Sequence, residues 1–142
     1  MEAINVIVAA SNWIFGYTLL RIAKGRDYWL VLAMIMASTL MHISETKHRL
    51  PGIYPFNLYA WHFLQLDQWL SYFMMVYGAI YFLFSSMETP WMLILLGVLS
   101  LNIAERVDYG EVFFMVFHVV WHYIAYRLIE VVLVYKAELN IV

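Results

Sequence analysis

Residues 112–135 read VFFMVFHVVWHYIAYRLIEVVLVY, and only Arg127 and Glu130 in this run carry a formal charge. Those two are i, i+3 neighbours and can pair on one helix surface. At ~1.5 Å per residue the run reaches ~36 Å, enough to cross the ~30 Å hydrocarbon layer of a bilayer. It also holds His118 and His122, one helical turn apart and therefore on one helix face. Ionisable side chains are costly inside a membrane and normally serve a purpose there.

The rest of the chain has the same character. Hydrophobic residues make up 65% of its 142 residues and charged ones only 13%, and the mean hydropathy is +0.75. That is not the composition of a soluble globular protein. A net charge of −2 gives no basis for binding nucleic acid, and the absence of cysteine excludes disulfides and thiolate ligands. Four further apolar runs stand beside the one at 112–135: Ile4–Ala23, Tyr28–Ser44, Leu64–Ser86 and Pro90–Ala104. The fourth is the shortest. KGRD at 24–27 and SSMETP at 85–90 are tight turns, whereas the two prolines within 45–63 make the one long connection. The first run has neither the basic start nor the cleavage site of a signal peptide, so it reads as a span. The expected fold is all-α: a polytopic transmembrane helical bundle of about five spans, forming a single domain in the bilayer.

Parity then fixes which ends of the spans meet. The second and fourth runs end, and the third and fifth begin, on one side, here called side A. Lys47, Arg49 and Arg106 lie on side A, and Arg21, Lys24, Arg26 and Lys136 on the opposite side B. The excess of basic residues on side B makes it the cytoplasmic side and leaves the N-terminus non-cytoplasmic. Ser38 and His42 share a face near the end of the second run, and Asp67 lies near the start of the third. At ~1.5 Å per residue, His42 and Asp67 come ~5 Å below the side A rim, His118 ~10 Å and His122 ~16 Å. Three separate helices therefore deliver three imidazoles and a carboxylate to one side of the membrane.

That donor set suits zinc. Three nitrogen ligands from His42, His118 and His122 leave a fourth tetrahedral position open, which is the catalytic arrangement, although iron and copper accept the same ligand type. Water activated by the metal attacks carbonyl groups. Asp67 is placed to take its proton, and Ser38 to donate a hydrogen bond to the carbonyl oxygen. Taken singly, each residue has a simpler use: interhelical hydrogen bonds for the histidine pair and Ser38, solvation for His42, and a helix N-terminus for Asp67. Their coincidence at compatible depth selects the metal site.

In order along the chain, Ser38-x-x-x-His42, Asp67 and His118-x-x-x-His122 resemble the motifs of the CREST superfamily of membrane metal hydrolases. This group includes the alkaline ceramidases, the adiponectin-receptor-like proteins and enzymes that trim lipid anchors. The resemblance implies zinc held by the three histidines, an aspartate that holds the attacking water, and a serine that assists at the substrate carbonyl. It implies a ceramidase-like cleavage of a lipid amide or ester. Members of that group typically have seven spans. Two consecutive spans fewer would preserve parity and leave fewer helices around an acyl chain, a gap that a homo-oligomer would close. The carboxylate-rich calcium site of the ceramidases has no match in this sequence.

Two other readings use the same residues. In one, the metal is structural and the chain is a receptor-like or assembly subunit without turnover. In the other, the histidines are axial ligands of haem in a membrane cytochrome. Elsewhere, Glu45, His48, His62 and the group Glu105, Arg106 and Asp108 read as solvated surface, with Glu45 also close enough to orient His42. Asn12 and Asn102 read as interhelical hydrogen-bonding residues. Tyr28, Trp29, Trp61 and Trp91 read as interfacial aromatics.

Overall fold

The computed structural model describes residues 2–84, 88, 90–106 and 110–139. Asp108, read above as part of a solvated turn, lies outside them. Five α-helices follow one another: α1 (Glu2–Ile22), α2 (Gly25–Ser44), α3 (Ala60–Phe84), α4 (Trp91–Arg106) and α5 (Glu111–Glu138). A short 3-10 turn at Phe56–Tyr59 precedes α3. No strand occurs among the described residues. The fold is all-α, as the apolar runs require.

Three of the helices, α1, α2 and α5, are long and apolar enough to cross a membrane, with mean hydropathies of 1.5, 1.3 and 1.5 over their most apolar stretches. The other two fall short for different reasons. With 16 residues, α4 reaches only ~24 Å. Helix α3 has 25 residues, but Trp61, His62, Gln65, Asp67 and Gln68 dilute its first half. The same dilution hides the true start of α3. The helix begins at Ala60 rather than near Leu64, so Asp67 stands ~10 Å along it and not in its first turn. A helix-dipole role for Asp67 is thereby removed, and its depth now matches that of His118.

The helices form an open arc. Helix α1 packs against both α2 and α5; α3 packs on α2 and also touches α5, and α4 packs on α5. Among the described residues α3 and α4 do not approach each other. The centre of the arc is tight because Gly16 allows it. A Cβ there would overlap the end of the Ile35 side chain and lie 3.3 Å from Tyr126 Cε1, so a larger residue would require Ile35 to move and Tyr126 to give slightly.

Apolar packing forms two clusters. One contains Leu19, Val31, Ile35, Met74, Tyr126 and Leu133 toward side B, and the other Val8, Leu50, Ala104 and Phe114 toward side A. Lipid is as apolar as leucine, so helix association in a bilayer depends on close packing and on polar links between helices. Those links are present. Asn5 of α1 donates to the backbone carbonyls of His42 and Glu45 at 2.8 and 3.0 Å, capping the end of α2. Ser100 donates to the carbonyl of Phe117 at 2.8 Å, joining α4 to α5. Tyr126 donates to Asn12 Oδ1 at 2.8 Å, joining α5 to α1. Asn102, expected to reach a neighbouring helix, bonds instead to the carbonyl of Val98 in its own helix at 2.8 Å.

Candidate metal centre

His42, His118 and His122 are all buried, and one nitrogen from each lies within 4.8 Å of the other two. Their rings meet edge to face, with centroids 4.5–4.9 Å apart. Regular helix geometry puts them there. His42 stands in the last turn of α2, whereas His118 and His122 stand two and three turns into α5. The neighbours run antiparallel, so these positions come level.

The outer ring nitrogens have oxygen partners. Ser11 Oγ lies 2.7 Å from Nδ1 of His122 and 2.7 Å from the carbonyl of Val8; when Nδ1 is the donor in the first pair, the inner Nε2 of His122 carries a lone pair. Nδ1 of His42 faces Glu45 Oε2 at 3.1 Å, and when Glu45 is ionised it accepts the Nδ1 proton and leaves the His42 Nε2 as a lone pair too. These two Nε2 atoms face each other at 3.2 Å. Two lone pairs at that distance repel unless they share a proton or a cation. With Zn–N bonds of about 2.0–2.1 Å, two tetrahedral ligand nitrogens lie ~3.3 Å apart, close to the spacing found here. A third imidazole in reach of both favours the cation, which uses all three.

The outer partners are those a metal site requires, because ligating imidazoles are normally oriented through the other ring nitrogen. Glu45 orients His42, and Ser11 orients His122. For His118, the nearest is Glu105 Oε1, 3.5 Å from Nδ1, too far and too poorly aligned for a hydrogen bond; that nitrogen is buried with no partner among the described residues. Glu105 also lies 3.9 Å from Nε2 of His48, whose ring stacks on Phe114 with centroids 4.3 Å apart. Burial pushes the Glu45 carboxyl up to about 7, against the opposing pull of His48 and Lys47.

His48 and Glu105 thus have places around the histidines that their reading as solvated surface did not give them, and of the two readings of Glu45 the structure has the one beside His42. Glu45 is only 6% exposed. Ser11 was missed altogether, since a serine in an apolar helix gives no signal beyond that of packing. His62 is exposed on α3, and Arg127 pairs with Glu130.

Ser38 and Asp67 join the same site. Ser38 Oγ is 3.5 Å from Nε2 of His122, and Asp67 stands on the neighbouring helix α3. Both line a cavity of about 480 Å³ bounded mainly by α2, α3, α4 and α5, as do His118, His122, Glu45 and Glu105. The polar groups gather toward side A. Farther in, the walls are apolar, with Met34, Met74, Gly78, Phe82, Val98 and Val132 among them. The volume falls within the range of small-molecule sites.

No protein-family model, curated protein or solved structure matches this chain. The haem reading fits the geometry poorly. A porphyrin must lie between its axial ligands, and facing Nε2 atoms 3.2 Å apart with rings in edge contact leave no slab for it. The three nitrogens and the carboxylate partner fit a small cation instead.

Proposed function

We propose that the chain is a multi-pass membrane protein that holds zinc at His42, His118 and His122 and hydrolyses a lipid amide or ester. The observation that carries the reading is the pair of Nε2 atoms facing each other at 3.2 Å beside a third buried imidazole, at the polar end of an apolar cavity. The five motif residues that resemble the CREST hydrolases are the second support. Zinc in a three-nitrogen site supplies activation of water and polarisation of a carbonyl oxygen.

The chain's own residues supply the rest. Asp67 orients the attacking water and accepts its proton. Ser38 donates a hydrogen bond to the substrate's carbonyl oxygen as charge develops there. With Asp67 taking the proton of the water and the nearby His122 nitrogen in the metal set, the path runs through direct attack by water and forms no acyl-enzyme. Glu45 and Ser11 keep the histidine rings turned toward the ion. The substrate's chain lies along the apolar walls and reaches the site through the opening between α3 and α4. Both of those helices expose large apolar side chains, including Trp69, Phe73, Leu95 and Leu99, to the surrounding lipid.

Elemental analysis of detergent-purified protein tests the reading. About one zinc per chain, absent from His118→Ala/His122→Ala, is expected, together with release of fatty acid from lipid amides or esters by the zinc-loaded wild type. A folded wild type without metal overturns the proposal. Zinc without turnover of any lipid amide or ester leaves a structural ion and overturns the hydrolase.

A further inference from the structure

The connection from α2 to α3 turns apolar side chains outward that neither the packing nor the metal centre uses. Residues 51–66 contain no Asp, Glu, Lys or Arg. Tyr54, Leu58 and Trp61 are 76%, 67% and 65% exposed, and Phe56 and Tyr59 are exposed beside them. No loose loop displays these groups. Leu50, just before them, is buried in the cluster with Val8, Ala104 and Phe114. Gly52, with φ +60°, lets the backbone turn so close to α2 that a Cβ would lie 2.8 Å from the Ser44 carbonyl oxygen. The amide of Ile53 donates to the carbonyl of Ile43 at 2.9 Å, and those of Asn57 and Leu58 donate to Ile53 and Pro55 at 3.0 and 3.2 Å. Phe56 and Tyr59 each meet the ring of Phe63, with centroids 6.5 and 6.4 Å apart. The segment is a fixed strap with an apolar outer side.

A contiguous apolar patch of this kind marks a surface that meets lipid or another protein. Its surroundings select lipid. The patch continues into Leu66, Trp69 and Phe73 on the exposed side of α3. Tyr54, Tyr59 and Trp61 combine an apolar ring with a polar tip, which suits the boundary between headgroups and acyl chains. Lys47 and Arg49, exposed just before the strap, put charge on its water side. The backbone of residues 50–53 is irregular, and hydrocarbon supplies no hydrogen bonds to such a backbone, so the strap belongs at headgroup level.

We infer that this connection is a membrane-interface strap: it lies in the plane of the side A headgroup layer, with Tyr54, Leu58 and Trp61 turned into lipid. Ile43, to which the strap is bonded, follows the candidate ligand His42, so the strap's level in the bilayer sets that of the metal centre. The inference does not depend on hydrolysis.

The chain has no cysteine, so single cysteines can be labelled cleanly. Tyr54→Cys, Leu58→Cys and Trp61→Cys, with Lys47→Cys as reference, each carry a nitroxide in the full chain, reconstituted in phosphatidylcholine vesicles at high lipid excess. Collision rates with oxygen and with a nickel chelate give the depth of each label. The first three are expected ~5–10 Å inside the headgroup boundary and the reference outside it. Should a variant lose helix content by circular dichroism, quenching by brominated lipid, compared between the wild type and Trp61→Phe, reads the same depth. Nickel-chelate collisions as frequent at the three strap labels as at the reference put the strap in water and overturn the inference. Labels shielded from both reagents, with spin–spin broadening between chains, put a second copy on the patch and overturn it as well.

Discussion

Two buried polar clusters sit toward opposite sides of the arc, and they are built in opposite ways. Toward side B, Lys136 of α5 donates to Asp27 Oδ2 of α2 and, at 2.8 Å, to the Tyr77 hydroxyl of α3. Tyr77 in turn donates to Asp27 Oδ1 at 2.9 Å. The ammonium also lies 5.4 and 5.9 Å from the ring centres of Tyr77 and Tyr81. Each member finds its partner within the cluster, so the group is a closed staple across three helices. Toward side A the outer nitrogens of His42 and His122 are anchored, but their inner nitrogens point at each other. Burying polar groups is costly in both places. Side A differs in that three buried imidazoles meet there and could hold a metal ion.

The contrast is broken most directly at the histidines. His118→Ala/His122→Ala should remove all bound zinc and all turnover, whereas Asp27→Asn should leave about one zinc per chain, as measured by elemental analysis. Zinc lost equally from both would mean that the ion depends on the fold at large and not on an open cluster. Next in size is Asp67→Asn. Losing a proton acceptor at the reacting water should slow lipid hydrolysis by roughly 10²–10⁴-fold with zinc unchanged. A variant that hydrolyses at the wild-type rate would leave Asp67 without a part in the chemistry.

The anchors sharpen the comparison further. Glu45→Gln and Ser11→Ala each remove a group that orients a ligand and should weaken zinc roughly 10–100-fold without abolishing binding, as read by competition with a chelator. Unchanged affinity in both would mean that the rings are held by packing alone. Glu105→Gln should act least of the three, since its oxygen stops 3.5 Å from His118.

How much of this was legible in the sequence follows the range of each signal. Apolar runs located all five helices, and spacing of i, i+4 together with parity brought Ser38, His42, Asp67, His118 and His122 to one side, because helix geometry is regular over that distance. Signals failed where the partner is far along the chain and chemically ordinary. Asp27 and Lys136 lie 109 residues apart, and nothing in either neighbourhood points to the other. Ser11 and Asn12 resemble any small polar pair in a helix until α5 is packed against them. Glu45 looked like a helix-end charge because its burial comes from the long connection folding back: the amide of Ile53 donates to the carbonyl of Ile43 at 2.9 Å. The opening between α3 and α4 was also beyond reach, since hydropathy counts helices without saying which ones touch.

The smallest effect tests the closed end. Lys136→Met removes the one cation from Asp27, whose side chain is 18% exposed against 11% for that of Lys136. A carboxylate left without its partner at a largely buried site is destabilising, and partial exposure moderates the cost to about 2 kcal/mol. Thermal unfolding in detergent should show this as a lowered Tm with zinc content unchanged. If the staple is a structural link with no further task, Asp27→Leu/Lys136→Met should recover most of the loss, because apolar groups can replace a buried ion pair at little net cost. The same exchange at side A, with His42 and His122 both made Leu, should retain the fold and lose the ion. Should the side B double variant instead lose turnover while keeping its zinc and its Tm, the staple would have to act on the substrate's chain through Tyr77, which lines the cavity, and the division between a closed structural end and an open chemical end would fail.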